Sequence, residues 1–388
     1  MKTQTTNAIA NAIELLNPDA KLLLLAPTGK AAKRMTELTK RPAYTIHSAI
    51  GLRGSTDDES FKKIEADLVL VDESSMIDAF VFLRLLESVG ENTQILLVGD
   101  FEQLPSVGPG LILRDLINSE RIPVTRLTTI FRQAMESQIT MNSYAMIKGN
   151  PNGFQLDSKK EDFYFISSNS LQDAANKLLR SFKRMHEKYN FSVDDICVLS
   201  PMRKGDLGID ALNPQIQEII NPASLNKKEC YIEGDILLRE GDRVMQMANN
   251  KDLGVFNGET GYIERIELER EKPIIYVSYP DKDESVVYRN KNCDDLQLAY
   301  CMTIHKSQGS EFPVVIMPTH LNHQNMLNRN LVYTAWTRAK KKVICIGDWR
   351  AVEYALIKGD DIQRLSQVKE KIRVEIELDW NDESQLPF

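Results

Sequence analysis

No stretch of this sequence is apolar for long enough to cross a bilayer. The longest obvious run, Leu22 to Ala26, falls far short of the roughly 20 residues that a spanning helix needs. The N-terminal region also lacks the apolar block of a secretory signal, so the expectation is a cytoplasmic location with no membrane partner. Cysteine is scarce: Cys197, Cys230, Cys293, Cys301 and Cys345 are scattered, with no C-x-x-C pair. That spacing suggests neither a zinc site nor a disulfide framework, and reads the five as reduced packing residues. An excess of positive charge is missing too. The formal net charge of -7 speaks mildly against a nucleic-acid partner, although a local basic groove can coexist with an acidic exterior. What is present is 388 residues, 42% hydrophobic and 27% charged, which is enough for two or three domains with substantial cores.

The chain is organised around Ala66 to Asp78, ADLVLVDESSMID. Leu68 to Val71 form an apolar, β-branched run that reads as a buried strand, and Asp72 and Glu73 follow at once. A carboxylate pair at the carboxyl end of a parallel strand faces the crevice where open α/β sheets bind ligands. There Asp72 suits Mg²⁺, directly or through water, and Glu73 suits the role of proton acceptor from an attacking water. For an isolated string of this kind the alternative, a pair that starts a loop or caps the next helix, carries the greater weight, and the neighbouring segments reverse it.

Neighbouring segments extend the pattern. Thr6 to Leu16 reads as a helix with Ala8, Ile9, Ala12, Ile13 and Leu16 on one side, ended by Asn17-Pro18, and Lys2-Thr3 stand just before it. Lys21 to Ala26 predicts a buried strand, followed by Pro27-Thr28-Gly29 and a helix carrying Lys30, Lys33 and Arg34. A helix N-terminus beside cations suits an anion, either a nucleotide phosphate or a nucleic-acid backbone, although a solvated helix face explains it equally well. Thr45-Ile46-His47-Ser48 is short and polar, and about 51–66 reads as an exposed loop or hairpin. Gln94 to Gly99 predicts another strand, with Asp100 and Gln103 at its end, and Leu127 to Gln133 sets Arg132 behind an apolar stretch. Ile196 to Ser200, Pro313 to Met317 and Lys342 to Ile346 repeat the buried-strand theme, so the reading is α/β with parallel sheets. Between roughly Gly234 and Asn292 the texture changes to short alternating runs broken by Asn257-Gly258 and Pro280-Asp281, which predicts a small β-barrel insertion.

The ordered series APTGKAAKRM (26–35), TIHSAIG (45–51), LVLVDESSM (68–76), LLVGDFEQLPSVGPG (96–110), LTTIFRQ (127–133), SPMRKGDLGIDALN (200–213), GDRVMQMANN (241–250), FNGETGYI (256–263), MTIHKSQGSEFPVVIMP (302–318) and NLVYTAWTRAKKKVICIGD (330–348) resembles the superfamily 1 DNA helicases. Within them it is most similar to the RecD-like branch, the exodeoxyribonuclease V alpha-subunit family. The resemblance runs from Lys2 to about Asp348.

It implies two RecA-like P-loop NTPase domains with ATP between them and single-stranded DNA across their top. The first would span 1–145, the second 146–233 and 293–350, with an SH3-like insertion at 234–292 and a C-terminal tail at 351–388. By the same resemblance Lys2, Thr3, Asp72, Gln308, Gly309 and Glu311 would bind the nucleotide, Thr3 and Asp72 serving Mg²⁺. Glu73, Gln103, Arg132 and Arg338 would be catalytic. Pro27, Thr28, His47, Thr303, His305 and Ser307 would lie along the DNA strand. Trp336 reads either as a base-stacking platform or as core. The implied activity is ATP-dependent translocation on single-stranded DNA, 5′ to 3′, at junctions of single and double strands, with partners in a recombination or repair complex. One departure stands out: the strand and glycine loop of G-x-x-x-x-G-K-[ST] are absent before Lys2-Thr3, so the expectation is a fragment with impaired ATP binding. A catalytically inactive DNA-binding or assembly subunit, and an RNA-directed helicase, are the competing readings.

Overall fold

The computed structural model describes residues 2–52, 62–128, 135–157, 159–232, 236–270, 272–358 and 366–373, with the backbone alone at 2–4. These residues form two compact units, Met1–Thr129 with Ile362–Phe388, and Ile130–Asp361.

In the first unit β1 (Leu22–Ala26), β2 (Ala43–Thr45), β3 (Leu68–Val71) and β4 (Gln94–Leu97) make a parallel sheet in the order β2-β1-β3-β4. Helices α1 (Lys2–Leu16), α2 (Gly29–Thr39), α3 (Ile46–Ala49), α4 (Ala79–Ser88) and α5 (Ile112–Ser119) complete it. Side chains alternate along a strand, so Leu25, Val69 and Val71 bury against Ile46, Ile50, Val81 and Leu85. Leu24 and Leu70 bury on the other face with Met35 and Ile9. Burial on both faces is why β3 reads as an unbroken apolar run. The predicted face of α1 is corrected. Thr6 and Ala10 are its buried residues, whereas Ala8 and Ala12 are exposed and Leu16 is 86% exposed. Arg41 covers part of its other side, its guanidinium bonding Asn7, Asn11 and Glu14.

The second unit is built on a five-stranded parallel sheet in the order β14-β6-β15-β16-β5. Its strands are β5 (Phe163–Ser167), β6 (Ile196–Ser200), β14 (Cys301–Thr303), β15 (Phe312–Thr319) and β16 (Ala339–Gly347). Helices α6 (Gln138–Lys148), α7 (Leu171–Glu187), α8 (Ile209–Ile220), α9 (Arg329–Trp336) and α10 (Trp349–Lys358) flank it. Strands β7 (Glu229–Ile232) and β8 (Ile236–Arg239) pair with each other. A separate antiparallel sheet, β12-β11-β10-β9-β13, runs from β9 (Arg243–Gln246) through β10 (Thr260–Glu269), β11 (Lys272–Ser278) and β12 (Val286–Arg289) to β13 (Leu296–Leu298). Its inner residues Ile263, Ile266 and Ile275 share one core with Val198, Leu212 and Ile216. The Asn257-Gly258 hairpin signal lies inside the long β9–β10 connection, where Asn250 and Val255 bridge instead.

The first unit ends at Thr129 rather than near residue 145, because α6 packs against α9 and β16 of the second unit. The tail is divided as well. Helix α10 belongs to the second unit, while Arg373 donates to the Ser119 and Asn118 carbonyls of the first. Of the expected loop at about 51–66, residues 53–61 lie outside the described residues, and Ile64 bridges to Val89. All five cysteines are buried and free, and burial pushes the Cys230 and Cys345 thiols up to about 12. Among the described residues no helix is long and apolar enough to cross a membrane.

Candidate functional site

In the first unit the chemistry gathers at the carboxyl ends of β3 and β4. Asp72 leaves β3 with its amide bonded to the Leu25 carbonyl at 3.0 Å, and it is only 5% exposed. Its Oδ1 accepts from the Glu73 amide at 2.8 Å. Glu73 is left-handed, at φ 49° and ψ 37°, a region that residues bearing a Cβ seldom occupy. Ser74 then ties this turn to the end of β4, its amide and its hydroxyl each donating to the Val98 carbonyl at 2.9 Å. Gly99 is where the two strand ends meet. A Cβ there would lie 2.6 Å from Ser74 Oγ and 2.7 Å from Leu113 Cδ2.

Gln103 is 3% exposed, and its Nε2 donates to Asp100 Oδ2 at 3.0 Å, which fixes the amide's direction. It lines a cavity of about 20 Å³ with Ser75, Phe101 and Arg114, roomy enough for about one water. Ser75 Oγ is buried there with no hydrogen-bond partner among the described residues. Asp72 and Glu73 thus stand on a turn that Ser74 ties to the end of β4, and Gln103 lies beside Ser75 of the same turn. Ser75 was not singled out in the sequence, and Asp100 was named there only at the end of its strand, without a role.

Thr28 and His47 lie on the same unit. Thr28 is the N-cap of α2, its Oγ1 accepting from the Ala31 amide at 3.2 Å, and Pro27 is half-buried before it. His47 stands exposed on α3. Desolvation by the surrounding protein holds its imidazole below the ordinary value, against the opposing pull of the Asp78 carboxylate. Asp78 caps α4 through the Val81 amide, and a Cβ at Gly108 would run into its carboxylate. The Gly108-Pro109 loop is therefore pinned beside α4, with Ala79 N donating to the Pro109 carbonyl at 2.8 Å. Lys2 and Thr3 open α1, but their side chains, and all of Arg132, lie outside the described residues.

In the second unit β14 ends at Thr303 beside Ser200, and the chain turns through a 3-10 segment at His305–Ser307. Thr303 and His305 are half-buried. Ser307 is fully buried and donates to the Ile304 carbonyl at 2.7 Å. That corrects its predicted position along a DNA strand: its hydroxyl shapes the turn. Gln308 follows, 6% exposed, and Gly309 sits at φ 73°. Arg338 is brought to this turn, its NH1 donating to the Ser310 carbonyl at 3.2 Å and its Nε to the Thr334 carbonyl at 3.2 Å. Glu311 meets Lys340 at 3.3 Å. The Lys306 ammonium donates to Asn257 Oδ1, linking the turn to the antiparallel sheet, and burial lowers its affinity for the proton. Trp336 is wholly buried, 4.9 Å from the Phe163 ring and edge to face with it, so its core reading holds.

The donor set fits a nucleotide with a hard divalent cation. Asp72 offers carboxylate oxygen, and among the described residues no cluster of three or more His, Cys, Asp or Glu could hold a metal by itself. Such a site suits Mg²⁺, which typically takes one or two carboxylates and completes its shell with phosphate oxygens and water.

Three known families match along the chain: the AAA domain over residues 2–109, the SH3 domain of ATP-dependent RecD-like DNA helicases over 212–279, and the UvrD-like helicase C-terminal domain over 298–346. The ATP-dependent RecD2 DNA helicase of Deinococcus radiodurans is 33% identical over 375 residues, covering 96% of this chain and 49% of that protein. The RecBCD enzyme subunit RecD of Mycolicibacterium smegmatis is 26% identical over 400 residues, covering 91% and 68%. The chain therefore spans about half the length of the first of these relatives. A solved structure of two coordinating Pif1 helicases at forked double-stranded DNA shares the fold, with a TM-score of 0.52 and 17% identity over 92% of this chain and 96% of that one. With its motifs on two parallel sheets and an SH3-type sheet inserted in the chain between β6 and β14 of the second, the chain belongs to the RecD-like branch of the superfamily 1 helicases.

Proposed function

We propose that this protein is an ATP-dependent helicase that moves 5′ to 3′ on single-stranded DNA and opens its junctions with duplex. The observation that carries the reading is the buried Asp72 with the left-handed Glu73 at the end of β3, tied through Ser74 to the end of β4, whose following loop carries Gln103. The name of the Deinococcus radiodurans relative, an ATP-dependent DNA helicase, supports the activity. The direction rests on the RecD-like resemblance alone.

In this reading Asp72, with Thr3, holds Mg²⁺, and Lys2 holds a phosphate of ATP. Bound Mg·ATP supplies the phosphoryl group and the cation that neutralises its charge. Glu73 takes the proton from the attacking water, and Gln103, oriented by Asp100, fixes the position of that water. In the second unit Gln308, Gly309 and Glu311 face the nucleotide. Arg338, whose charge is held at the Gln308–Ser310 turn, and Arg132 stabilise the transferring phosphoryl, an effect of about 10³ to 10⁵ in rate for arginine fingers. Pro27, Thr28, His47, Thr303 and His305 contact phosphate and sugar, so recognition is nearly independent of base sequence. Action within a recombination or repair assembly in the cytoplasm completes the reading, and the RecBCD subunit among the relatives supports it.

Strand displacement tests it. The protein, given a complete G-x-x-x-x-G loop ahead of Lys2-Thr3 and supplied with ATP, should unwind a duplex bearing a 5′ single-stranded tail. Unwinding only from a 3′ tail would overturn the direction, and failure on both substrates, or unwinding without ATP, would overturn the activity.

A further inference from the structure

The parallel sheet of the second unit ends on β5, and the helix that follows it, α7, packs over β15, β16 and β6. The edge is left partly uncovered. Tyr164 and Ile166 point to the α7 side of β5 and stay half-buried, and Ile344 of β16 is the direct neighbour of Tyr164. Together with Met185 they floor a cleft of about 300 Å³, at the lower end of the range for small-ligand sites.

Cations surround that floor. Residues separated by three or four positions share one side of a helix, so Lys177, Arg180 and Arg184 line the α7 wall, and Lys342 approaches from the sheet. Two of the four are already engaged. Lys177 bonds Asp173 at 2.7 Å and the Ser167 carbonyl at 2.8 Å. Lys342 donates to the Glu161 carbonyl at 2.7 Å and stands 4.0 Å from its carboxylate. Arg180 and Arg184 are exposed at the rim. The Lys342 ammonium lies 5.7 Å from the Tyr164 ring centre and 5.6 Å from that of Tyr189, and Arg184 lies 5.8 Å from the Tyr189 ring. The charged side chains take no part in the apolar packing that seats α7, which is carried by Ala174, Ala175, Leu178, Phe182 and Met185.

An apolar floor between two phenol rings, with arginines at the mouth, suits a flat aromatic group that carries an anion. We infer that this cleft binds a nucleotide, either free or as one unit of a single strand, with its base on the Ile166–Ile344 floor against Tyr164 or Tyr189 and its phosphate on Arg180 and Arg184. Stacking on an aromatic ring is tolerant of base identity, and guanidinium groups match phosphate with paired hydrogen bonds. The cleft is at the opposite edge of the sheet from β14, whose end carries the Thr303–Glu311 turn, and the Asp72–Gln103 group belongs to the other unit. It goes beyond the proposed helicase activity and does not depend on hydrolysis.

Photo-crosslinking separates the two sources. The protein is irradiated with 5-iodo-2′-deoxyuridine monophosphate, and separately with a single-stranded oligonucleotide carrying 5-iodouracil, and the adducts are mapped by peptide mass spectrometry. Adducts at Tyr164 or Tyr189 are expected. Their presence in the mononucleotide arm identifies a site for free nucleotide, and their confinement to the oligonucleotide arm identifies a second strand contact. Arg180→Glu with Arg184→Glu, both at exposed positions, should reduce those adducts about tenfold or more while the thermal midpoint stays at the parental value. Adducts only at other residues in both arms, or an undiminished yield in the double variant, would overturn the inference even in a protein that unwinds DNA.

Discussion

Glu73 holds a backbone conformation that costs about 1–3 kcal/mol, and the residues around it enforce the turn. Ser74 is bonded twice to Val98, and Gly99 leaves no room for a side chain between Ser74 and Leu113. Gly99→Ala should therefore cost about 1–3 kcal/mol by urea unfolding and lower turnover with it. Unchanged stability would mean that the two strand ends are not in the contact described. Trp336 makes a contrasting case. Its ring is enclosed by Phe154 and Phe163, with Nε1 3.1 Å from Cys345 Sγ, so Trp336→Ala should destabilise by about 3–5 kcal/mol. Affinity for single-stranded DNA, measured where the variant is folded, should be unaffected. A selective loss of affinity would restore the stacking role. The motif at 330–348 carries this tryptophan in plain view, but only the partners that surround the ring distinguish a platform from core.

Strands buried on both faces were the most legible elements. The runs at 68–71 and 196–199 are apolar from end to end because every residue of both strands is buried. Helix α1 was read with the wrong face, since Ala8, Ala12 and Leu16 keep a helical spacing without being buried. Strand β5 went unread. It is an edge strand, half-buried along much of its length, and its run from Phe163 to Ile166 is short and aromatic rather than a long aliphatic block. Least legible was the clamp between the two sheets of the second unit, because its members are far apart in sequence. Asp242, wholly buried, accepts from Gln217, Asn221, the Arg239 amide and Tyr300. Burial raises its carboxyl above the usual value despite these bonds. Between the ordinary value of about 4 and the raised one, the folded chain binds more protons than the unfolded chain, so this group makes stability fall as pH rises. Asp242→Asn removes that dependence. The stability difference between variant and parent, from urea unfolding at about pH 4 and pH 7, should move in the variant's favour at the higher pH. A difference that does not change with pH would contradict the raised carboxyl.

Across the whole molecule the net charge of -7 opposes a polyanion at long range, so in the proposed reading DNA is held by local groups. Affinity for single strands should then fall steeply with salt, with a slope of about -0.7 per phosphate neutralised in a plot of log affinity against log salt, and should vary little among base sequences. Binding that ignored salt would argue against backbone contacts. The SH3-type sheet shares its core with the second parallel sheet and reaches the Thr303–Glu311 turn through Lys306 and Asn257, so it is an integral part of that unit. The carboxylate pair was legible as a candidate because it stands directly after the unbroken apolar strand β3. The most direct test of the central claim is ATP turnover in the presence of single-stranded DNA for the parent and Glu73→Gln, both carrying a complete G-x-x-x-x-G loop ahead of Lys2-Thr3. The substitution keeps the shape and removes the proton acceptor, so turnover should fall by about 10² to 10⁴, with nucleotide and DNA affinities within roughly threefold of the parent. Parental turnover in Glu73→Gln would contradict the assignment.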